Sequence, residues 1–264
     1  MNAFILGNLN NIVQIGVLLY VSYRNLRNLQ RRGPWVPAVL YMFILVTMLA
    51  TGFYWVTHVL MTGEYLYGFS AMDIGEIGIF LLLAAMLGAS FDEPLPRDLP
   101  ALAAALLFSL GNAALWGAWR GAWVRDMIAG LFLTILVYTL IRGLNRTESM
   151  DRKEWTAFGI GSAGIFLLQT VAVQMEGTVV KALDFASSVI WFAGILYFLV
   201  RIIRILRGDR PDEGLLSLVV AGYTWIICTM YLSGDPYYTI ADLINTVMLF
   251  LFMVALERKW GETE

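Results

Sequence analysis

Apolar runs of about four helical turns recur along the chain, and five of them open on an Asx residue. Asp73–Ala89 reads DIGEIGIFLLLAAMLGA, and comparable runs start at Asn11, Asp126, Asp184 and Asp242. Four of the five end in arginine, and the first two share the spacing Asx-Ile-x-Gln/Glu-Ile-Gly. Between them lie further apolar runs without this signature. A helix needs roughly 20 apolar residues to cross the ~30 Å hydrocarbon layer, so the pattern predicts nine transmembrane helices, at about 11–23, 35–61, 73–89, 100–115, 126–141, 156–173, 184–200, 215–231 and 242–256.

These segments predict an all-α integral membrane protein built as a single polytopic domain over residues 1–264. An unpaired first span (1–33) precedes four parallel helical-hairpin repeats, at 34–92, 93–146, 147–210 and 211–264. Internal similarity of this kind is the usual trace of duplication in membrane proteins. The linker SFDEPLPRDLP, with its prolines and alternating charge, forbids a continuing helix.

Composition supports the same class. At 59% hydrophobic and 14% charged, the chain departs from the roughly 45–50% and 25% of soluble domains. Charge then sets the orientation. Of 18 Lys and Arg residues, only Arg120, Arg125 and Lys181 lie away from the loops that follow spans 1, 3, 5, 7 and 9, which leaves 15 on that side. Basic short loops stay in the cytoplasm, so the N-terminus is expected outside and the C-terminus cytoplasmic, in a cell (inner) membrane. No basic region precedes the first apolar run, so it reads as a retained span, not a cleaved signal.

The single Cys228 excludes an intrachain disulfide, and the single His58 argues against bis-histidine haem or a histidine-rich zinc site. Loops for nucleotide phosphates, serine-hydrolase elbows, HExxH and nucleic-acid modules are missing. No cofactor, metal ligand set or catalytic residue is assigned.

The candidate ligand residues lie at the external side. Asp73, Asp126, Asp184 and Asp242 read first as helix N-caps, whose side chains accept bonds from free backbone N–H groups, and second as a ring of carboxylates for a cation or an amine. Asn11 with Gln14 and Asp73 with Glu76 have the spacing of capping boxes. Glu76 lies one turn inside a span, where ionisable groups are costly and often functional. His58 approaches the same level, so His58, Asp73 and Glu76 read either as one convergent proton or cation site or with His58 as a neutral histidine hydrogen-bonded within an interfacial cap. In WGAWRGAW, Trp116, Trp119 and Arg120 read as an interfacial aromatic belt or as the mouth of an aromatic pocket.

The partners expected are the lipid bilayer, a small-molecule or cation ligand on the outer face, and a protein at the basic cytoplasmic face. Transport of a small solute or ion through an outward-opening cavity is the first functional reading. A sensor of an extracytoplasmic ligand and a membrane-anchor subunit of a larger complex are the alternatives.

Overall fold

The computed structural model describes residues 3–59, 61, 71–208, 214–230 and 237–262. Its regular elements are all helices: α1 (Ala3–Arg32), α2 (Val36–Tyr54, extended by a π-helical turn, Trp55–Val59), α3 (Ala71–Ala89), α4 (Leu99–Arg120), α5 (Trp123–Arg146), α6 (Arg152–Ala172), α7 (Thr178–Leu206), α8 (Leu215–Met230) and α9 (Tyr237–Glu262). Each predicted segment overlaps one of these helices. Six of them are long and apolar enough to cross a membrane, namely α2, α4, α5, α6, α7 and α9. The apolar parts of α3 and α8 are shorter, at Ile77–Ala89 and Leu215–Cys228. α1 begins among Asn8, Asn10, Asn11 and Gln14 and ends among arginines, which interrupts its apolar length.

Local chemistry fixes several helix ends. Asp98 caps α4 by accepting the Ala101 N–H at 2.9 Å, and Pro100 sits in the first turn, where a missing N–H has no partner to lose. At the other end of α4, Gly121 adopts φ +72°, which favours glycine, and its N–H returns to the Gly117 carbonyl at 2.8 Å. A reciprocal capping box of Asp151 and Glu154 starts α6.

The helices close into a ring in which α1 packs on α2, α2 on α3, α3 on α5, α5 on α4, α4 on α6, α6 on α7, α7 on α8, α8 on α9, and α9 back on α1. α8 also reaches inward to α3 and α5, and every residue from Leu215 to Ile226 is buried. A helix apolar on all sides belongs in an interior, and α8 is the internal strut of this bundle.

Close approach and backbone-directed hydrogen bonds hold the ring. A Cβ at Gly130 would lie 2.6 Å from Ala113 Cβ and 3.2 Å from the Ser109 carbonyl, so glycine lets α5 lie against α4. Trp225 Nε1 donates to the Trp191 carbonyl at 3.0 Å, Tyr41 to the Leu249 carbonyl at 3.0 Å, and Asn25 to the Ala38 carbonyl at 2.9 Å. Arg24 grips Glu257 with Nε at 2.7 Å and Nη2 at 2.8 Å, and Asn28 adds a bond to the same carboxylate at 2.8 Å. This forked pair joins the first helix to the last.

The end of the bundle with the arginine-rich loops, here the basic end, is strapped as well. Arg146 pairs with Glu93 at 2.9 Å, and Arg142 donates to the carbonyls of Leu95 and Pro96 at 2.9 and 3.2 Å. The proline linker is thereby laid against α5. The buried Arg201 of α7 pairs with Glu154 at 3.0 Å and donates to the Ser149 carbonyl, fixing the α5–α6 turn.

Glycine positions give a direct check on this packing. Gly130→Ala forces α4 and α5 apart and is expected to destabilise by about 1–3 kcal/mol, read as a lower thermal midpoint in detergent. A Cβ at Gly159 meets nothing within 4 Å, so Gly159→Ala is expected to be neutral or to raise the midpoint slightly.

Candidate functional site

The Asx-led runs do not begin at helix caps. Ala122 and Gly177 occupy the N-cap positions of α5 and α7 without any side-chain cap bond, so Asp126 lies in the first turn of α5 and Asp184 in the second turn of α7. Asp242 lies in the second turn of α9, and Asn11 and Gln14 are interior to α1, not a capping box. Each helix starts earlier than expected, because residues such as Trp123, Thr178, Val179 and Tyr237 extend it by one or two turns. Asp73 lies in the first turn of α3, but its side chain and that of Glu76 fall outside the described residues. The predicted convergence of His58 with those two therefore also falls outside them. His58 itself stacks on Tyr54, with ring centroids 5.2 Å apart, in the π-helical turn.

Freed from capping, three of the aspartates take partners from neighbouring helices or from the adjoining turn. Asp126 is 2% exposed, with Oδ1 3.0 Å from Arg125 Nε and 3.8 Å from Arg120 Nη1. Arg120 lies 5.7 Å over the Trp116 ring, and Trp116 Nε1 donates to the Cys228 carbonyl of α8 at 3.4 Å. Trp119 Nε1 donates to Gln169 Oε1 at 3.1 Å, and Gln169 Nε2 donates to Asp184 Oδ1 and Ser187 Oγ, both at 3.1 Å. Five predicted residues, Trp116, Trp119, Arg120, Asp126 and Asp184, thus belong to two polar chains that knit the ends of α4–α8. Asp242 lies on another seam, where it accepts from Asn10 and, at 3.5 Å, from Gln14 of α1. Residues 10 and 14 and residues 242 and 246 are i,i+4 pairs, so each pair presents one face of its helix to the other. Gln14 reaches Thr246 at 3.4 Å across the same seam.

A cavity of about 700 Å³ lies toward the basic end, between α4, α5 and α6, with α8 behind it. That volume falls within the ~300–1,000 Å³ of small-molecule sites. Its walls carry Phe108, Trp155, Phe158, Phe166, Phe198 and Trp225, and its few polar groups are Asp98, Asn145, Ser162 and Thr224. The rings are mutually fixed: Phe158 meets Trp225 edge to face at 5.3 Å and Phe198 at 5.0 Å, and Phe108 stacks on Trp225 at 6.5 Å.

The cavity opens sideways. α4 and α6 touch where Phe166 meets Phe108, at 6.0 Å, and where Trp119 meets Gln169, but nearer the basic end the cavity separates them. Ala104, Leu107, Gly159 and Ala163 line it and are also exposed on the outside of the bundle, Leu107 by 77%. The lining runs from Asp98 to Phe108 on α4, about 15 Å at 1.5 Å per residue. That is half of the ~30 Å hydrocarbon layer.

At the aspartate-rich end the described side chains of Trp119, Gln169 and Asp184 bond to one another, and the described cavity lies near the opposite end. Its lining comes from five helices with no linear motif. Asp98 read as part of a linker, and Gly159 as a packing glycine. The one available signal was the spacing Trp155, Phe158, Ser162, Phe166, which is one face of α6. Among the described residues no three His, Cys, Asp or Glu side chains gather as a metal cluster. No protein family, curated protein or solved structure matches the chain.

The Trp119–Gln169–Asp184 chain has a measurable signature. Gln169→Leu removes the partner of the part-buried Trp119 indole N–H and Asp184 carboxylate and is expected to destabilise by about 1 kcal/mol. Asp184→Asn keeps an acceptor for Gln169 and is expected to change the thermal midpoint little.

Proposed function

We propose that the protein is a multi-pass membrane transporter that takes an apolar or amphipathic small molecule sideways from the bilayer into the α4–α5–α6 cavity. The observation that carries this reading is the aromatic-lined cavity with its lateral opening. A molecule dissolved in lipid reaches such an opening without entering water, and its apolar body matches the ring-lined walls. Exchange between lipid and an apolar wall gains little from the hydrophobic effect, so fit and ring contacts must supply selectivity.

Nine spans, an external N-terminus, a cytoplasmic C-terminus and the four-hairpin repeat belong to the same proposal. The bias of 15 among 18 basic residues supports the orientation. With that orientation the cavity serves the cytoplasmic leaflet. The basic face, with Arg27, Arg31, Arg204 and Arg207 exposed, then meets anionic head groups.

A cavity-filling pair tests the reading from opposite walls. Gly159→Phe and Ala104→Phe place rings in the opening from α6 and α4, and each is expected to reduce lipophilic molecules that copurify with the protein, as quantified by mass spectrometry of organic extracts. The same variants are expected to abolish uptake of that molecule into proteoliposomes while keeping the wild-type thermal midpoint. Binding that persists in both variants, or a wild-type protein that retains no lipophile, would reject the cavity as the site. Binding without flux would identify a sensor.

A further inference from the structure

Resting on that cavity reading, we infer that the molecule accepted there is a lipophilic cation, with Asp98 as its counter-charge and the Phe and Trp faces as its walls. Asp98 is the one ionisable side chain among the described lining residues, and none of the lining residues is Lys, Arg or His. A neutral lipid would need no charge at this place, and an anionic one would be repelled by it.

The position of Asp98 is fixed from two sides. Its backbone N–H donates to the Tyr138 hydroxyl at 3.2 Å, and its Oδ1 accepts the Ala101 N–H at 2.9 Å. Oδ2 takes no hydrogen bond among the described residues. Neither Arg97, the preceding residue, nor Arg142 nor Arg146 is among the residues that line the cavity. Arg142 donates to the carbonyls of Leu95 and Pro96 and lies 4.1 Å over the Tyr138 ring. Arg146 pairs with Glu93. The carboxylate therefore lines the cavity together with no basic side chain.

The walls point to the same ligand chemistry. Ring faces carry the negative part of the aromatic quadrupole and attract cations, more strongly where water is excluded. Phe158, Phe108 and Trp225 present a fixed cluster of such rings in the same cavity, with Phe108 about 15 Å along α4 from Asp98. A delocalised or amine cation on an apolar body satisfies both features, because the body fills the cavity while the charge stays within reach of Asp98. The lateral opening admits it from the leaflet, where lipophilic cations accumulate beside anionic head groups.

Two ions of nearly equal size and shape separate charge from fit. Equilibrium dialysis of the purified full-length chain against tetraphenylphosphonium and tetraphenylborate, corrected with Gly159→Phe for partition into detergent, is expected to favour the cation at least about tenfold. Asp98→Asn is expected to remove that preference. Asn caps a helix as well as Asp, so α4 keeps its start and the thermal midpoint stays unchanged. Phe158→Leu is expected to weaken the cation more than the anion.

Equal binding of both ions, both lost in Gly159→Phe, would overturn the cation inference while leaving the cavity in place. Preference for tetraphenylborate would overturn it too. Failure of both ions to bind would overturn it as well, and the copurification experiment would then decide on the cavity separately. A cation preference that survives in Asp98→Asn would remove Asp98 from the site.

Discussion

Apolar helices surrounded by lipid have little reason to associate, because the tails they leave are as apolar as the neighbours they join. Everything in this bundle follows from how that deficit is met. Glycines bring helix axes close enough for dense packing, as Gly130 does between α5 and α4 and Gly194 does beneath the Trp225 ring. Polar side-chain atoms then bond backbone carbonyls of other helices, as those of Trp225, Tyr41 and Asn25 do. These bonds are worth most where water cannot compete. α8 is the extreme case: it carries Ser217, Gly222, Thr224 and Cys228 among its apolar residues and exposes none of them to lipid.

Where this packing loosens, a cavity results. α4 and α6 are drawn together by Phe166 and by the Trp119–Gln169 bond, and they part toward the basic end, where the linker strap and the Arg201–Glu154 pair hold the surrounding turns in place. The described cavity thus lies where α4 and α6 are not bonded to each other, and its walls are made of rings and small residues.

Much of the helical pattern was legible in the sequence, because apolar periodicity and proline-rich breaks need no tertiary information. The starts of helices were less so. Asp126, Asp184 and Asp242 have the composition of caps, yet α5, α7 and α9 begin upstream of them; Asp184 and Asp242 answer to side chains of other helices, and Asp126 to its neighbour Arg125 and to Arg120 of α4. Sequence could single out these residues as unusual but could not pair Asp184 with Gln169, since only the turn geometry at Gly177 sets which faces of α6 and α7 meet. The cavity was less visible still. Its aromatic residues are individually ordinary for a membrane helix, and Asp98 looks like any linker acid until α4 is seen to begin there.

The closure of the ring has a consequence for how the chain reaches this state. The α1–α9 seam joins Arg24 to Glu257 across 233 positions, and α8 follows three of the helices it packs on, α3, α5 and α7, in the chain. Local hairpins can form as the chain emerges, but contacts of such long range are slow to gain. Until α8 and α9 arrive, Tyr41 lacks the Leu249 carbonyl and Trp116 lacks that of Cys228. The packing of α3 on α2 and on α5 needs neither helix, whereas the α1–α9 seam and the bonds of Tyr41 and Trp116 form only once α8 and α9 are in place.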